Sequence, residues 1–247
     1  MLKGRMRTIK RIHFWPWYGL LIALILISEL VHLRPMEFIL KPLLMPGLLL
    51  FLYLKTRGAG EAIIPFTKRI AFGLVFSWFG DILLMFSGSG EIYFMGGLVS
   101  FLIAHFFYIA AFLYSIWNAG EPESPCQAPF LRRRPWSAIP FVLLLFALYG
   151  YLYSGLGTMR LPVLIYAVTI LTMAALALNR KGCVRERGFW PVFIGSLFFV
   201  VSDAALAINK FADSLPEAGF IVMSSYIAAQ CLIAEGAVLE AAGTHHE

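Results

Sequence analysis

The chain alternates long apolar runs with short polar punctuation. Eight runs approach the roughly 20 residues needed to cross about 30 Å of hydrocarbon: 16–33, 36–54, 65–87, 92–117, 136–154, 161–179, 189–210 and 218–240. Charged or turn-forming stretches separate them, among them Arg34-Pro35, 55–60, 87–90, the Pro-rich 118–135 and 212–217. Each run predicts a helix, because inside hydrocarbon a lone segment satisfies its own backbone N–H and C=O groups only that way. Pro42 and Pro46 interrupt the second run, which a membrane helix tolerates when neighbours take up the freed carbonyls. The first run ends in "ISELVHLRP", without a small-residue cleavage site, and reads as a retained span.

Composition narrows the class. Hydrophobic residues make up 60% of the 247 and charged residues only 14%, against about 25% charged in soluble domains. A net charge of +6 would suit nucleic acid if it were gathered on one face. Instead the basic residues fall in short loops, the pattern of topogenic signals. With the N-terminus inside, sixteen Lys and Arg lie in inner segments and four (Arg34, Lys41, Arg160, Lys210) in outer ones. The expectation is an all-α polytopic transmembrane helix bundle of about eight spans with both termini cytosolic. It forms one domain, with a short basic lead over 1–15 and a short tail over 241–247, in a bacterial inner membrane or a eukaryotic endomembrane. Cys126, Cys183 and Cys231 show no framework spacing, and the first two fall in loops placed in the cytosol; no disulfide is expected.

Within this apolar background two carboxylates stand out. Asp81 ends "FGLVFSWFGD" and Asp203 ends "GSLFFVVSD"; in both, a Gly lies eight positions earlier and a Phe five (Gly73 and Phe76; Gly195 and Phe198). An Asp at the bilayer centre costs about 2.5–3.5 kcal/mol on insertion scales, and here that cost is met twice in matching contexts. The two contexts are 122 residues apart, in spans three and seven, which hints at a four-plus-four parallel repeat. At about 1.5 Å per residue both acids lie roughly 10 Å below the outer surface. Lys41 and Glu29 fall in the same layer, with His105, Tyr108, Tyr226 and Gln230 deeper. Blander readings accompany these: Asp81 as an ion-pair partner of Lys41, His105 as an interhelical hydrogen-bond donor, and Glu29 and Glu235 as snorkelling side chains.

Chemistry follows from the pairing. Two carboxylates in a low-dielectric site divide labour, one as acid and one ionised, which suits reactions through an oxocarbenium ion: acetals, glycosides or vinyl ethers. His105 is the one histidine well inside a span, and a catalytic zinc wants three ligands, commonly two of them His, so no metal and no cofactor are expected. No Gly-rich phosphate loop, GxSxG elbow or Cys/His dyad is present.

The set "KP" at Lys41-Pro42, "FGD" at Phe79–Asp81, "FMGGLVSFLIAHFFY" at Phe94–Tyr108, "SD" at Ser202-Asp203 and "SYIAAQ" at Ser225–Gln230 resembles the lysoplasmalogenase (YhhN-like) family over spans two to eight. The resemblance implies hydrolysis of the vinyl ether of a lysophospholipid, giving a fatty aldehyde and glycerophosphoethanolamine or glycerophosphocholine. On that reading Asp81, Asp203 and His105 are catalytic, and Lys41, Ser202, Tyr108, Tyr226 and Gln230 contact substrate, with Lys41 at the phosphate. Which Asp is the acid stays open. A proton-coupled transporter or lipid-binding protein using the same Asp pair, and a structural scaffold, are the competing expectations. The partners implied are a lysophospholipid and the bilayer, with no nucleic acid.

Overall fold

The computed structural model describes residues 14–57, 63–118 and 128–242. Most of the basic lead, the loop holding Cys126, and the last five residues lie outside the described residues. Among the described residues the chain is helical, with no strand.

Helices occupy all eight apolar runs: α1 (Phe14–Leu30), α2 (Arg34–Thr56), α3 (Ile64–Met85), α4 (Glu91–Asn118), α6 (Ile139–Leu152), α7 (Arg160–Asn179), α8 (Glu186–Phe211) and α9 (Ala218–Ala242). A one-turn helix, α5 (Phe130–Arg133), precedes α6. Six of the segments (α2, α4, α6 with its leading turn, α7 with its leading turn, α8 and α9) are long and apolar enough to span a membrane. The chain is thus an integral multi-pass membrane protein. α1 is apolar but has only 17 residues; α3 has 22 residues and carries Lys68, Arg69 and Asp81.

α2 runs unbroken through Pro42 and Pro46. Pro46 has no N–H to give the Pro42 carbonyl one turn back. That carbonyl is taken instead by the indole N–H of Trp78 on α3, at 2.8 Å. The prolines therefore fix α2 against α3 rather than ending it.

α9 is the centre of the bundle: it packs against α1, α2, α3 and α8, and α3 and α7 both pack on α4. The matching glycines of the two Asp segments have parallel jobs. A Cβ on Gly73 would collide with the Tyr108 ring of α4, and one on Gly195 would meet the Ala229 carbonyl of α9 at 2.8 Å. Each Gly lets its helix seat closely on the next helix in sequence, the usual use of small residues between membrane helices. α6 is peripheral, packing mainly on α7, α8 and its own leading turn, with Val142, Leu143 and Phe146 facing outward.

At the end of the bundle opposite the two acids, Arg180 is fully buried. It forms an ion pair with Glu240 of α9, donates to Ser115 Oγ of α4 at 2.8 Å, and lies over the Phe66 and Phe112 rings. Arg180 is one of the sixteen basic residues that the charge count assigns to inner segments, and in the fold it is a clamp joining α7, α4, α9 and α3. One correction concerns cysteine. Cys183, in the α7–α8 turn, is disulfide-bonded, whereas Cys231 is free. Spacing along the chain gives no warning of a bridge whose only requirement is proximity in space.

Candidate active site

α3 and α8 carry their acids toward a common cavity of about 200 Å³. Glu29 of α1, Lys41 of α2, Asp81 of α3, Ser202 and Asp203 of α8 and Tyr226 of α9 all line it. Its lining includes the exposed Asn209, near the end of α8, and Gly219, in the first turn of α9, which places its mouth by the α8–α9 connection. A lining this polar inside an apolar bundle is held by hydrogen bonds, since each unpaired polar group there would carry a desolvation cost.

Each acid is held by a tyrosine from another helix. Tyr226 donates to Asp81 Oδ2 at 2.9 Å. Tyr166 of α7 makes a short hydrogen bond to Asp203 Oδ2. A carboxylate tied through one oxygen keeps the other for a reacting group. Ser202 lines the cavity but spends its hydroxyl on the Val222 carbonyl at 3.1 Å.

His105 is fully buried, with Nε2 3.8 Å from Asp203 Oδ2. Its ring lies edge-on to Phe199 and Tyr166, and neither ring nitrogen has a hydrogen-bond partner within the protein. It stands behind Asp203 and does not line the cavity. Tyr108 and Gln230 also lie beneath it. Tyr108 donates to Gln230 Oε1 at 2.7 Å, and Gln230 Nε2 donates to Ser77 Oγ at 2.9 Å. This linkage runs under the floor formed by Tyr226 and Asp81, one helical turn from each partner.

The basic residue in the layer does not pair with Asp81. Lys41 Nζ lies 2.5 Å from Glu29 and 2.9 Å from Glu37. Glu29 is buried, so it is a wall of the cavity rather than a snorkelling side chain. Glu235 stays on the opposite side of the cluster, as its place in α9 predicts. Among the described residues no three His, Cys, Asp or Glu side chains gather as a metal site.

Two small apolar pockets adjoin the polar cavity. One is lined by Phe94, Leu98, Val163 and Phe211, the other by Leu148, Leu152, Ile170 and Leu171. Asp203 and Tyr166 line both, and Asp203 also lines the polar cavity. Asp203 therefore stands where polar and apolar space meet.

Tyr166 is absent from the residues that the sequence singles out, and Glu29 is in the right layer there but given a snorkelling role. Tyr166 had a signal, being the only aromatic residue in 161–179. Glu29 had one too, an acid in a long apolar run facing a Lys on the next helix. Ser77 carried none beyond its place one turn before Asp81.

Similarity to known proteins places the chain in a family. Residues 36–237 match the family model described as YhhN family. Lysoplasmalogenase TMEM86A of Homo sapiens is 31% identical over 198 residues, covering 78% of this chain and 75% of the relative. The protein of that name from Bos taurus is 32% identical over 199 residues, with the same coverage. Lysoplasmalogenase TMEM86B of Sus scrofa is 31% identical over 191 residues, covering 76% and 70%. No solved structure gives a significant match. The matched stretch holds Lys41, Asp81, His105, Tyr166, Asp203 and Tyr226, and with them both acids and their tyrosines: the chain belongs to the YhhN family.

Proposed function

We propose that the protein is a membrane hydrolase that cleaves the vinyl ether bond of a lysoplasmalogen, releasing a fatty aldehyde and glycerophosphoethanolamine or glycerophosphocholine. The observation that carries this reading is the position of Asp203, shared by a polar cavity and two apolar pockets. A lysoplasmalogen has the same division: a charged headgroup, a long apolar chain, and the vinyl ether at their junction. The names borne by the relatives, lysoplasmalogenase, supply the substrate class.

In this mechanism Asp203, the acid facing the apolar pockets, gives its proton to the β carbon of the vinyl ether. The double-bond electrons form the new C–H bond, leaving an oxocarbenium ion at the carbon attached to oxygen. Asp81 stabilises that cation and takes a proton from the water that adds to it. The resulting hemiacetal then collapses: Asp81 returns the proton it took to the glycerol oxygen as that C–O bond breaks, Asp203 takes the hemiacetal hydroxyl proton as the C=O forms, and the chain leaves as the aldehyde with both acids restored. Tyr166 and Tyr226 hold the two carboxylates in register, the preorganisation that general acid–base catalysis requires. His105, packed behind Asp203, positions that acid. Purified protein in detergent micelles, where no gradient exists, should release aldehyde from 1-alkenyl-glycerophosphoethanolamine. A protein that moves the lipid or protons only across sealed vesicles, and forms no aldehyde in micelles, would be a transporter instead.

The same proposal extends to topology. All eight helices span the bilayer as a single domain, with both termini cytosolic and the cavity opening on the far side. The excess of basic residues at the opposite end supports this orientation. A disulfide at that basic end, at Cys183, is the pattern of an oxidising compartment rather than of the cytosol, and accessibility labelling of the two ends tests the orientation. The paired Gly–Phe–Asp segments, each Gly seating the following helix, favour a four-plus-four parallel repeat.

A further inference from the structure

The cavity holds a charge cluster that hydrolysis of the vinyl ether does not use. Lys41 is gripped by two carboxylates, Glu29 at 2.5 Å and Glu37 at 2.9 Å. One cation facing two anions leaves a single negative charge in excess. Glu29 lines the cavity beside Lys41, and Glu37 does not. Glu29 is also set in place from a third helix. Its Oε2 lies against Gly219, in the first turn of α9, where even a methyl group would collide with it, and a helix N-terminus favours an anion. A purely anionic headgroup entering here would face Glu29 and Asp81 across the cavity with no cation of its own. A zwitterionic one brings an ammonium to set against them.

We infer that Glu29 and Lys41 form a zwitterion receptor, Lys41 taking the phosphodiester and Glu29 the ammonium group of the lysophospholipid headgroup. This rests on the hydrolase reading for its substrate but assigns a separate task, headgroup selection, to a residue of α1 that precedes the family-matched residues 36–237. Arrival of the phosphate on Lys41 competes with Glu29 for the lysine and turns the freed carboxylate toward the incoming cation. Glu37, one turn before Lys41 on α2, keeps the lysine oriented throughout. The zwitterion adds no net charge; its ammonium replaces the lysine as the partner of Glu29 while its phosphodiester takes the lysine.

The test measures binding and turnover separately. Binding uses non-hydrolysable 1-alkyl-glycerophosphoethanolamine, 1-alkyl-glycerophosphocholine and 1-alkyl-glycerol-3-phosphate in micelles, on the full chain. Wild type should bind the two zwitterions at least 10-fold more tightly than the phosphomonoester. Glu29→Gln should bring that ratio down to within about twofold of unity. Gly219→Ala, which places a methyl against Glu29 without removing any charge, should lower the same ratio and covers the case in which Glu29→Gln does not fold. An absent preference in wild type, or a preference that both folded variants keep, overturns the receptor. Aldehyde release from the matching 1-alkenyl lipids reports the other reading: selective binding without any aldehyde would sink the hydrolase and leave the receptor standing.

Discussion

Asp81 and Asp203 differ in surroundings although their local sequences match. Both accept a tyrosine hydroxyl, but only Asp203 borders apolar space. Asp203→Asn and Asp81→Asn should each lower aldehyde release by at least about 10²-fold, the scale of general acid–base loss, with the fold retained. Near-normal turnover in either folded variant would remove that residue from the chemistry. Tyr226→Phe deletes a hydrogen bond to the ionised Asp81, and Tyr166→Phe deletes one to Asp203 as it takes on charge in giving up its proton; each loss is about 1.5–3 kcal/mol, so a drop of about 10- to 100-fold in kcat is expected. A fall in kcat with KM nearly unchanged marks positioning of the acid; a rise in KM alone would make the tyrosines substrate contacts. His105→Phe should reduce kcat and leave headgroup preference untouched, because His105 meets Asp203 and not the cavity.

The helices are joined by two kinds of contact, and each predicts its own response. Gly195→Ala forces a methyl to 2.8 Å from the Ala229 carbonyl. Backbone cannot yield as a side chain does, so about 1–3 kcal/mol of destabilisation is expected, read as a lower Tm in detergent. At the opposite end Arg180→Met strands Glu240, and breaking a buried pair from one side costs about 3–5 kcal/mol. The double variant Arg180→Met with Glu240→Leu should recover most of that loss, since two apolar side chains need no polar partner. If the double variant is as unstable as the single one, the clamp works through the Phe66 and Phe112 rings rather than through charge.

For the whole molecule the question is which side the cavity faces. In a chain whose three native cysteines are replaced, Ser89→Cys sits exposed beside the end of α3 that carries Asp81, and Asn118→Cys is exposed at the far end of α4. With the cavity facing away from the cytosol, a membrane-impermeant maleimide should label position 89 in intact cells and position 118 only after permeabilisation. The reverse pattern would place the cavity in the cytosolic leaflet and the Cys183 disulfide in the oxidising compartment.

The sequence by itself determined the helices and the two acids. Apolar runs of near-constant length can only be helical in hydrocarbon, so every run became a helix, with ends differing from the expectation by no more than about three residues. A carboxylate in such a run is costly enough to be visible without any structure. What the tertiary structure decided was pairing. Lys41 was in the expected layer, yet its partners proved to be Glu29 and Glu37 rather than Asp81. Tyr108 and Gln230 were singled out as substrate contacts, and they lie under the cavity, bonded to each other and to Ser77. Tyr166 and the Arg180 clamp went unread. Periodicity fixes which residues share a helix and at what depth. The rotation of each helix about its axis, and so which polar side chains face one another, is set by packing with neighbours far away in sequence, as Tyr226 is from Asp81, 145 residues apart.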